Sequence, residues 1–389
     1  MANRKKKITK KSFVKEILML AIFFTSLVSF SSFHTVDIDV RAQGAAMVEI
    51  RADGTTMVDS KPFFPFGFYH VSLGAAAGKQ MNTLRDIAAA GFNTISASVD
   101  NSLDDYEKLL DEAERLGVHV LSANNSTVTI ETVNAFKNKP ALLGWMIQDD
   151  ANVNGNPGCD EILQLHQAVK TVDPNHVTYI SSSPEGQYEK LNYCSDIIAA
   201  QAYPVPSGPL DGAYYIVHDA CNAAAKFNRA VYANVQSFAW PGKRGPTFDE
   251  VRNMTYQALI AGAKGIIYYT YHDDVWYLAE HPDLWKGLQS LVPEIKKLSP
   301  IVLNGDLTKI HTEGEDIFAG IWTAKNEAVV VVINTSYNST TEVSITVPSR
   351  SVGEARPIFT GRPSGMVVKD GKLSGSIKPL DVHVYRFSL

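Results

Sequence analysis

The chain has 389 residues, 45% of them hydrophobic, with 36 basic and 41 acidic side chains giving a net charge of −5. That length supports one large core and a second, smaller domain. No basic block lies beyond the first residues, which argues against a nucleic-acid partner.

The N-terminus differs from the rest. Arg4, Lys5, Lys6, Lys7, Lys10, Lys11 and Lys15 form a basic head before a largely apolar run, 17–30. That run is short for a membrane span. It predicts a secretory signal peptide over 1–42, with a cleavage site at Val40-Arg41-Ala42 before Gln43. An uncleaved N-terminal anchor is the alternative, and in both cases the body is exported. Cys159, Cys194 and Cys221 allow one disulfide and leave one thiol. No Cys/His spacing points to zinc, and no cofactor is expected. Asn125, Asn253 and Asn338 open glycosylation patterns of a kind that also arise by chance.

Residues 47–59 read as a hairpin turned at Asp53-Gly54. Eight strands are then expected at 63–69, 92–98, 118–123, 141–147, 177–182, 197–202, 230–236 and 265–271. Helical periods alternate with them at 75–90, 103–116, 130–137, 159–172, 187–192, 214–227, 248–261 and 283–298. Gly91, Gly117 and Gly262 stand where helices hand over to strands. The pattern predicts an α/β fold: a (β/α)8 TIM barrel over 43–300, including the hairpin. After Pro300, strand-like runs at 329–333, 341–347, 355–359 and 382–387 predict a small antiparallel β-sandwich domain over 301–389.

In such a barrel the catalytic face lies at the C-terminal ends of the strands. Strands 1 to 3 bring Tyr69, His70, Asp100, Asn124 and Asn125 there, and strand 4 brings Gln148, Asp149 and Asp150. Glu185 follows strand 5, and Gln201 and Tyr203 follow strand 6. Strand 7 adds Gln236, Phe238 and Trp240; strand 8 adds Tyr271, His272, Asp273, Asp274 and Trp276. Acids thus cluster at strands 4 and 8. Hydrolysing an acetal between sugars takes two carboxyl groups across the bond, one protonated and one ionised. Aromatic planes stack on sugar C–H faces, while amides and carboxylates bond the hydroxyls.

Each residue also has a plainer reading. Asp149 or Asp150 would cap the next helix, Asp273-Asp274 would start one, and Glu185 would sit on a turn. The aromatics, His70 and His272 would belong to the wall. A metal-dependent hydrolase would show His-x-His at the first strand, where Phe68-Tyr69-His70 stands, so metal catalysis is discounted.

Four segments resemble the clan of (β/α)8 glycoside hydrolases that carry a C-terminal β-domain. Phe63-Phe64-Pro65-Phe66-Gly67-Phe68-Tyr69 is similar to their opening strand. Leu143-Gly144-Trp145-Met146-Ile147-Gln148-Asp149-Asp150-Ala151 is similar to the fourth, which often ends in Asn-Glu-Pro or Asp-Glu-Pro. Ala202-Tyr203-Pro204-Val205 and Ala261-Gly262-Ala263-Lys264-Gly265-Ile266-Ile267-Tyr268-Tyr269 resemble the sixth and eighth. The resemblance implies that Asp150 stands where the acid/base glutamate falls, one methylene shorter. It also implies that Gln236 stands where retaining members place a nucleophilic glutamate, and an amide cannot form the covalent ester. Three outcomes follow: a partner acid elsewhere, foremost Asp273 or Asp274; an inverting enzyme; or a carbohydrate-binding relative without hydrolysis.

The resulting expectation is a secreted glycoside hydrolase acting on a poly- or oligosaccharide, free of the membrane once the leader is cleaved. Asp150 is the general acid, and Asp149 a like-charged neighbour that favours its protonated form. Asp273 or Asp274 is base or nucleophile. Tyr69, Trp145, Tyr203, Trp240 and Trp276 are sugar contacts. The alternative is a non-catalytic carbohydrate-binding barrel. If 1–42 is a leader, N-terminal sequencing of exported protein should begin near Gln43; an exported chain starting at Met1 contradicts this.

Overall fold

In the computed structural model, Asp53 accepts hydrogen bonds from Arg51 Nε and Nη2 at 2.9 and 2.8 Å, and Gly54 takes a φ of 82°. That turn reverses the chain between β1 (Val48–Ile50) and β2 (Thr56–Val58). The structure describes residues 44–389 except 70, 72–77, 101, 124–126, 311–315, 349–352, 355–356, 360 and 362–364. The expected leader lies outside the described residues. β3 (Lys61–Phe63) adds a third antiparallel strand, so the first part of the expected barrel strand belongs to this small sheet instead. Its Val48 and Val58 pack with Leu143, Val177, Ile197 and Ala230, which lie at or near the starts of barrel strands. The sheet therefore plugs the N-terminal mouth.

The eight barrel strands are β4 (Phe66–Phe68), β5 (Thr94–Ser98), β6 (His119–Ala123), β7 (Leu142–Gln148), β8 (Val177–Ser182), β9 (Ile197–Ala202), β10 (Ala230–Val235) and β11 (Ile266–Tyr268). All neighbours are parallel, and β11 pairs back onto β4 with Ile266 opposite Phe66, closing the barrel. Around it run α1 (Gln80–Ala89), α2 (Leu103–Leu116), α3 (Ile130–Phe136), α4 (Cys159–Val172), α5 (Gly212–Ala225), α6 (Phe248–Ala261) and α7 (Pro282–Asn304). Between β8 and β9 the expected helix reduces to short 3-10 turns at Pro184–Gly186 and Tyr188–Leu191. Hydroxyls of Ser102, Thr129 and Thr247 cap α2, α3 and α6, the last within a capping box with Glu250. Gly117 and Gly262 end α2 and α6 at φ of 69° and 115°, a region glycine enters without steric cost. α7 continues through Pro300 to Asn304, past the expected end of the barrel.

Then come β12 (Asp306–Ile310), β13 (Ile317–Ala324), β14 (Glu327–Asn334), β15 (Thr341–Thr346), β16 (Gly353–Glu354), β17 (Val367–Lys369), β18 (Lys372–Ile377) and β19 (Val382–Ser388). They form two four-stranded antiparallel sheets, β12-β13-β14-β19 and β15-β18-β17-β16. The expected strand at 355–359 does not form over its described part, where Pro357 makes one bridge to Tyr385; proline has no N–H to continue a ladder. In β14, Val330 and Val332 face the second sheet, while Val329, Val331 and Ile333 join the barrel's outer core. Burial on both faces explains the unbroken apolar run.

α6 lies beneath that sheet and is buried over most of its length. Arg252 reaches Glu294 Oε2 through Nε and Nη2 at 3.2 and 3.1 Å and Val382 O through Nη1 at 3.1 Å. Tyr256 adds a hydroxyl to the same carboxylate oxygen at 2.7 Å. Asn253, which opens one of the glycosylation patterns named above, is fully buried, and its Nδ2 donates to Asn334 O and Leu380 O.

The disulfide joins Cys159, at the start of α4, to Cys194, with Cα atoms 5.4 Å apart. Cys221 is the free thiol, and burial pushes its pKa up to about 12. For a bridge closing a separation of 35 residues, chain entropy predicts about 4 kcal/mol of stabilisation. Urea unfolding with and without reductant should show a loss of that order; an unchanged midpoint would count against the bridge.

Candidate active site

β7 ends at Gln148, and Asp149 and Asp150 follow at the open mouth. A register shift between Met146 and Gln148 against β8 breaks the alternation just before them. Asp150 adopts a φ of 49°, and its N–H donates to Ser181 Oγ at 3.1 Å. The Asp149 carboxylate accepts a hydrogen bond from the Tyr69 hydroxyl at 2.7 Å and a short one from the Ser181 hydroxyl. Gln201 Nε2 donates to the same Ser181 oxygen at 3.2 Å. Ser181 thus ties the ends of β7 and β9 to β8. It was not among the sequence candidates, although its place two residues beyond the inward-facing Tyr179 was a signal.

Across the mouth, the segment after β11 carries Tyr269 and Asp273. Asp273 Oδ1 accepts from the N–H groups of Val275 and Trp276 at 2.9 and 2.8 Å. The Tyr269 hydroxyl bonds Asp273; burial, then the charges of Asp273, Asp149 and Asp150, push its pKa well above the ordinary phenol value. Tyr203 shows the same direction for the same first reason, and its buried hydroxyl has no hydrogen-bond partner among the described residues.

Aromatic rings form one wall: Phe238 lies 5.3 Å from Tyr203, 4.9 Å from Trp240 and 5.1 Å from Tyr269. Trp240 is 43% exposed at the rim. Together with Gln201 and the three carboxylates Asp149, Asp150 and Asp273, these rings line a cleft of about 720 Å³.

Other candidates are placed elsewhere. Asp274 is exposed and does not line the cleft, so geometry separates it from Asp273. Trp145 is corrected: it lies between inward-facing Leu143 and Met146, packs outside the barrel, and bonds Asp173 Oδ2 at 2.7 Å. Gln236 is corrected as a ligand contact. It is fully buried, donating to Val205 O and Phe238 O at 2.8 and 3.1 Å and accepting from Val205 N at 2.8 Å. Tyr69 is buried too, and its hydroxyl reaches the site through Asp149 and Ser181.

Tyr271 packs on Phe68 and Trp285. His272 and Trp276 are buried and stack on Tyr277 and His281. Gln148 turns its amide to the Asp149 carbonyl at 2.6 Å. His70 and Asn124 lie outside the described residues, as does the Glu185 side chain.

No protein-family model and no curated protein matches the sequence. Solved structures do. A glycoside hydrolase superposes with a TM-score of 0.58 at 12% identity, over 87% of this chain and 96% of its own. An Anoxybacillus α-amylase gives 0.54 at 13% identity, over 87% and 99%. An endoxylanase from Clostridium papyrosolvens gives 0.51 at 11% identity, over 89% and 98%. The chain has the fold of the (β/α)8 glycoside hydrolases. At such identities the likeness establishes the fold and leaves activity to the site.

Asp100, after β5, stands apart from the cleft lining and accepts a short hydrogen bond from Gln80 Nε2. Burial raises its pKa to about 6, against the lowering effect of Gln80 and the Gly78 backbone. A folded-state value above the unfolded one means that Asp100 favours the fold when protonated. That contribution is lost as pH rises from the ordinary carboxylate range through about 6. A carboxyl NMR titration of Asp100 should show a midpoint near 6, moving higher in Gln80→Ala; an ordinary midpoint would refute the buried setting.

Proposed function

We propose that the cleft binds a poly- or oligosaccharide and hydrolyses a glycosidic bond in it. The observation that carries this reading is the meeting of three carboxylates with an aromatic wall in one cleft, at the strand ends where this fold places chemistry. Hydroxyls of Tyr69 and Ser181 both point at Asp149, which suits a carboxylate that only accepts. Asp150 is then the group to carry the proton. Asp273, held by two backbone N–H groups and bonded by Tyr269, suits the ionised partner. In the reaction, the Asp150 proton passes to the leaving-group oxygen as the anomeric C–O bond breaks. Asp273 either attacks the anomeric carbon or takes a proton from the attacking water. Tyr203 and Trp240 offer ring faces, and Gln201 a polar edge, to the sugar. The leader-like N-terminus supports action outside the exporting cell.

Gln236 favours a second reading, binding without cleavage. The strand-7 position that would hold a nucleophile in retaining relatives is an amide fully occupied by backbone groups. Reducing-end release separates the two readings: glycans retained but never cleaved by the wild type establish the second.

If Asp150 is the general acid, Asp150→Asn should keep the fold and glycan binding but lose about 10²–10⁴-fold in turnover. Substrates with activated leaving groups should lose less. Asp273→Asn should also be strongly impaired, and the exposed Asp274→Asn close to wild type. Wild-type turnover in Asp150→Asn would move the acid to Asp149.

A further inference from the structure

We propose that the cleft takes a glycan free of carboxylate and sulfate groups, and that the charge of the surrounding face excludes polyanions. The inference rests on the carbohydrate reading above and narrows its substrate class. The connections that follow the barrel strands are 69–79, 99–102, 124–129, 149–158, 183–187, 203–211, 236–247 and 269–281; they carry eight Asp and Glu but three Lys and Arg. Over 43–389 the count is 38 acidic against 28 basic, so these connections, about a fifth of that length, carry half of the acidic excess. Of the three cations, Arg244 is paired with Glu250 at 2.8 and 2.6 Å. Lys79 and Lys243 lie outside the cleft lining, and among the described residues no Lys, Arg or His lines it.

Hydrogen-bond chemistry adds an independent argument. Ionised Asp149 and Asp273 would offer acceptors only, while Asp150 donates as long as it carries the proton. The Tyr203 hydroxyl, buried and without a partner among the described residues, is a donor open to a ligand acceptor. A sugar hydroxyl donates and accepts, so neutral sugars satisfy both kinds of group. The carboxylate of a uronate, or a sulfate group, brings acceptors alone where it replaces a hydroxyl, meets carboxylates across the cleft, and incurs like-charge repulsion in a partly desolvated space.

The test uses the exported protein, without the basic head, in native gels cast with galactomannan, soluble starch or mixed-linkage glucan, and in parallel with polygalacturonate or alginate. Reducing-end release is measured on each. At least one neutral glycan should retard the protein or be cleaved, and the polyanions should bind roughly tenfold more weakly or worse at low salt. Val275→Lys, at a rim position 67% exposed, should improve retention by the polyanions, and added salt should erase the gain. Equal or stronger binding or cleavage of a polyanion by the wild type overturns the inference and leaves the carbohydrate reading standing. Binding of no glycan at all overturns both.

Discussion

Closing eight parallel strands into a barrel removes every sheet edge and leaves two ends; the rest of this molecule depends on how those ends are filled. The N-terminal sheet occupies one. Above it, three tyrosines fill the interior with their hydroxyls satisfied. Tyr232 pairs with Thr56 at 2.6 Å, Tyr179 donates to Asn234 at 3.0 Å, and Tyr69 donates to Asp149. Buried hydroxyls need such partners, and the last of them is a carboxylate at the open mouth. The chemistry of the site is therefore continuous with the packing of the core.

The mouth is held by few groups. Ser181 receives the Asp150 N–H and the Gln201 amide while donating to Asp149, so one hydroxyl fixes three neighbours from two other strands. Asp273 is oriented by its own loop through two backbone N–H groups. The two walls thus have different origins, one knotted by side chains between strands and one built within a single turn. Tyr269 links them, bonding one acid while lying in the field of the other two.

The β-domain is joined to the barrel through α6. The helix has lost its solvent face, and two of its polar residues, Arg252 and Asn253, bond backbone carbonyls of the β-domain. Asn253 meets the carbonyls of Asn334 and Leu380, and the Arg252–Glu294 pair reaches Val382. Removing one member of such a buried pair leaves an uncompensated charge, so the pair restricts how the sheet can sit on the helix.

Periodicity alone carried most of the architecture. Four to eight apolar residues bounded by turn signals, alternating with amphipathic helices, make a barrel, and α2, α4, α6, β8 and β9 fall where the pattern puts them. The site was partly legible for a related reason. Asp149 and Asp150 follow a strand too apolar to face solvent, so they had to emerge at its end. What sequence could not supply was direction. Asp273 and Asp274 are neighbours, yet only one lines the cleft; Trp145 lies outside the barrel because the strand's alternation is broken; Gln236 is taken up by Val205 and Phe238. Local pattern fixes which residues form a strand and where it ends, because propensity and burial act over a few residues. Which way a side chain points at that end is decided by bulges and by partners distant in sequence, and these exist only once the barrel has closed.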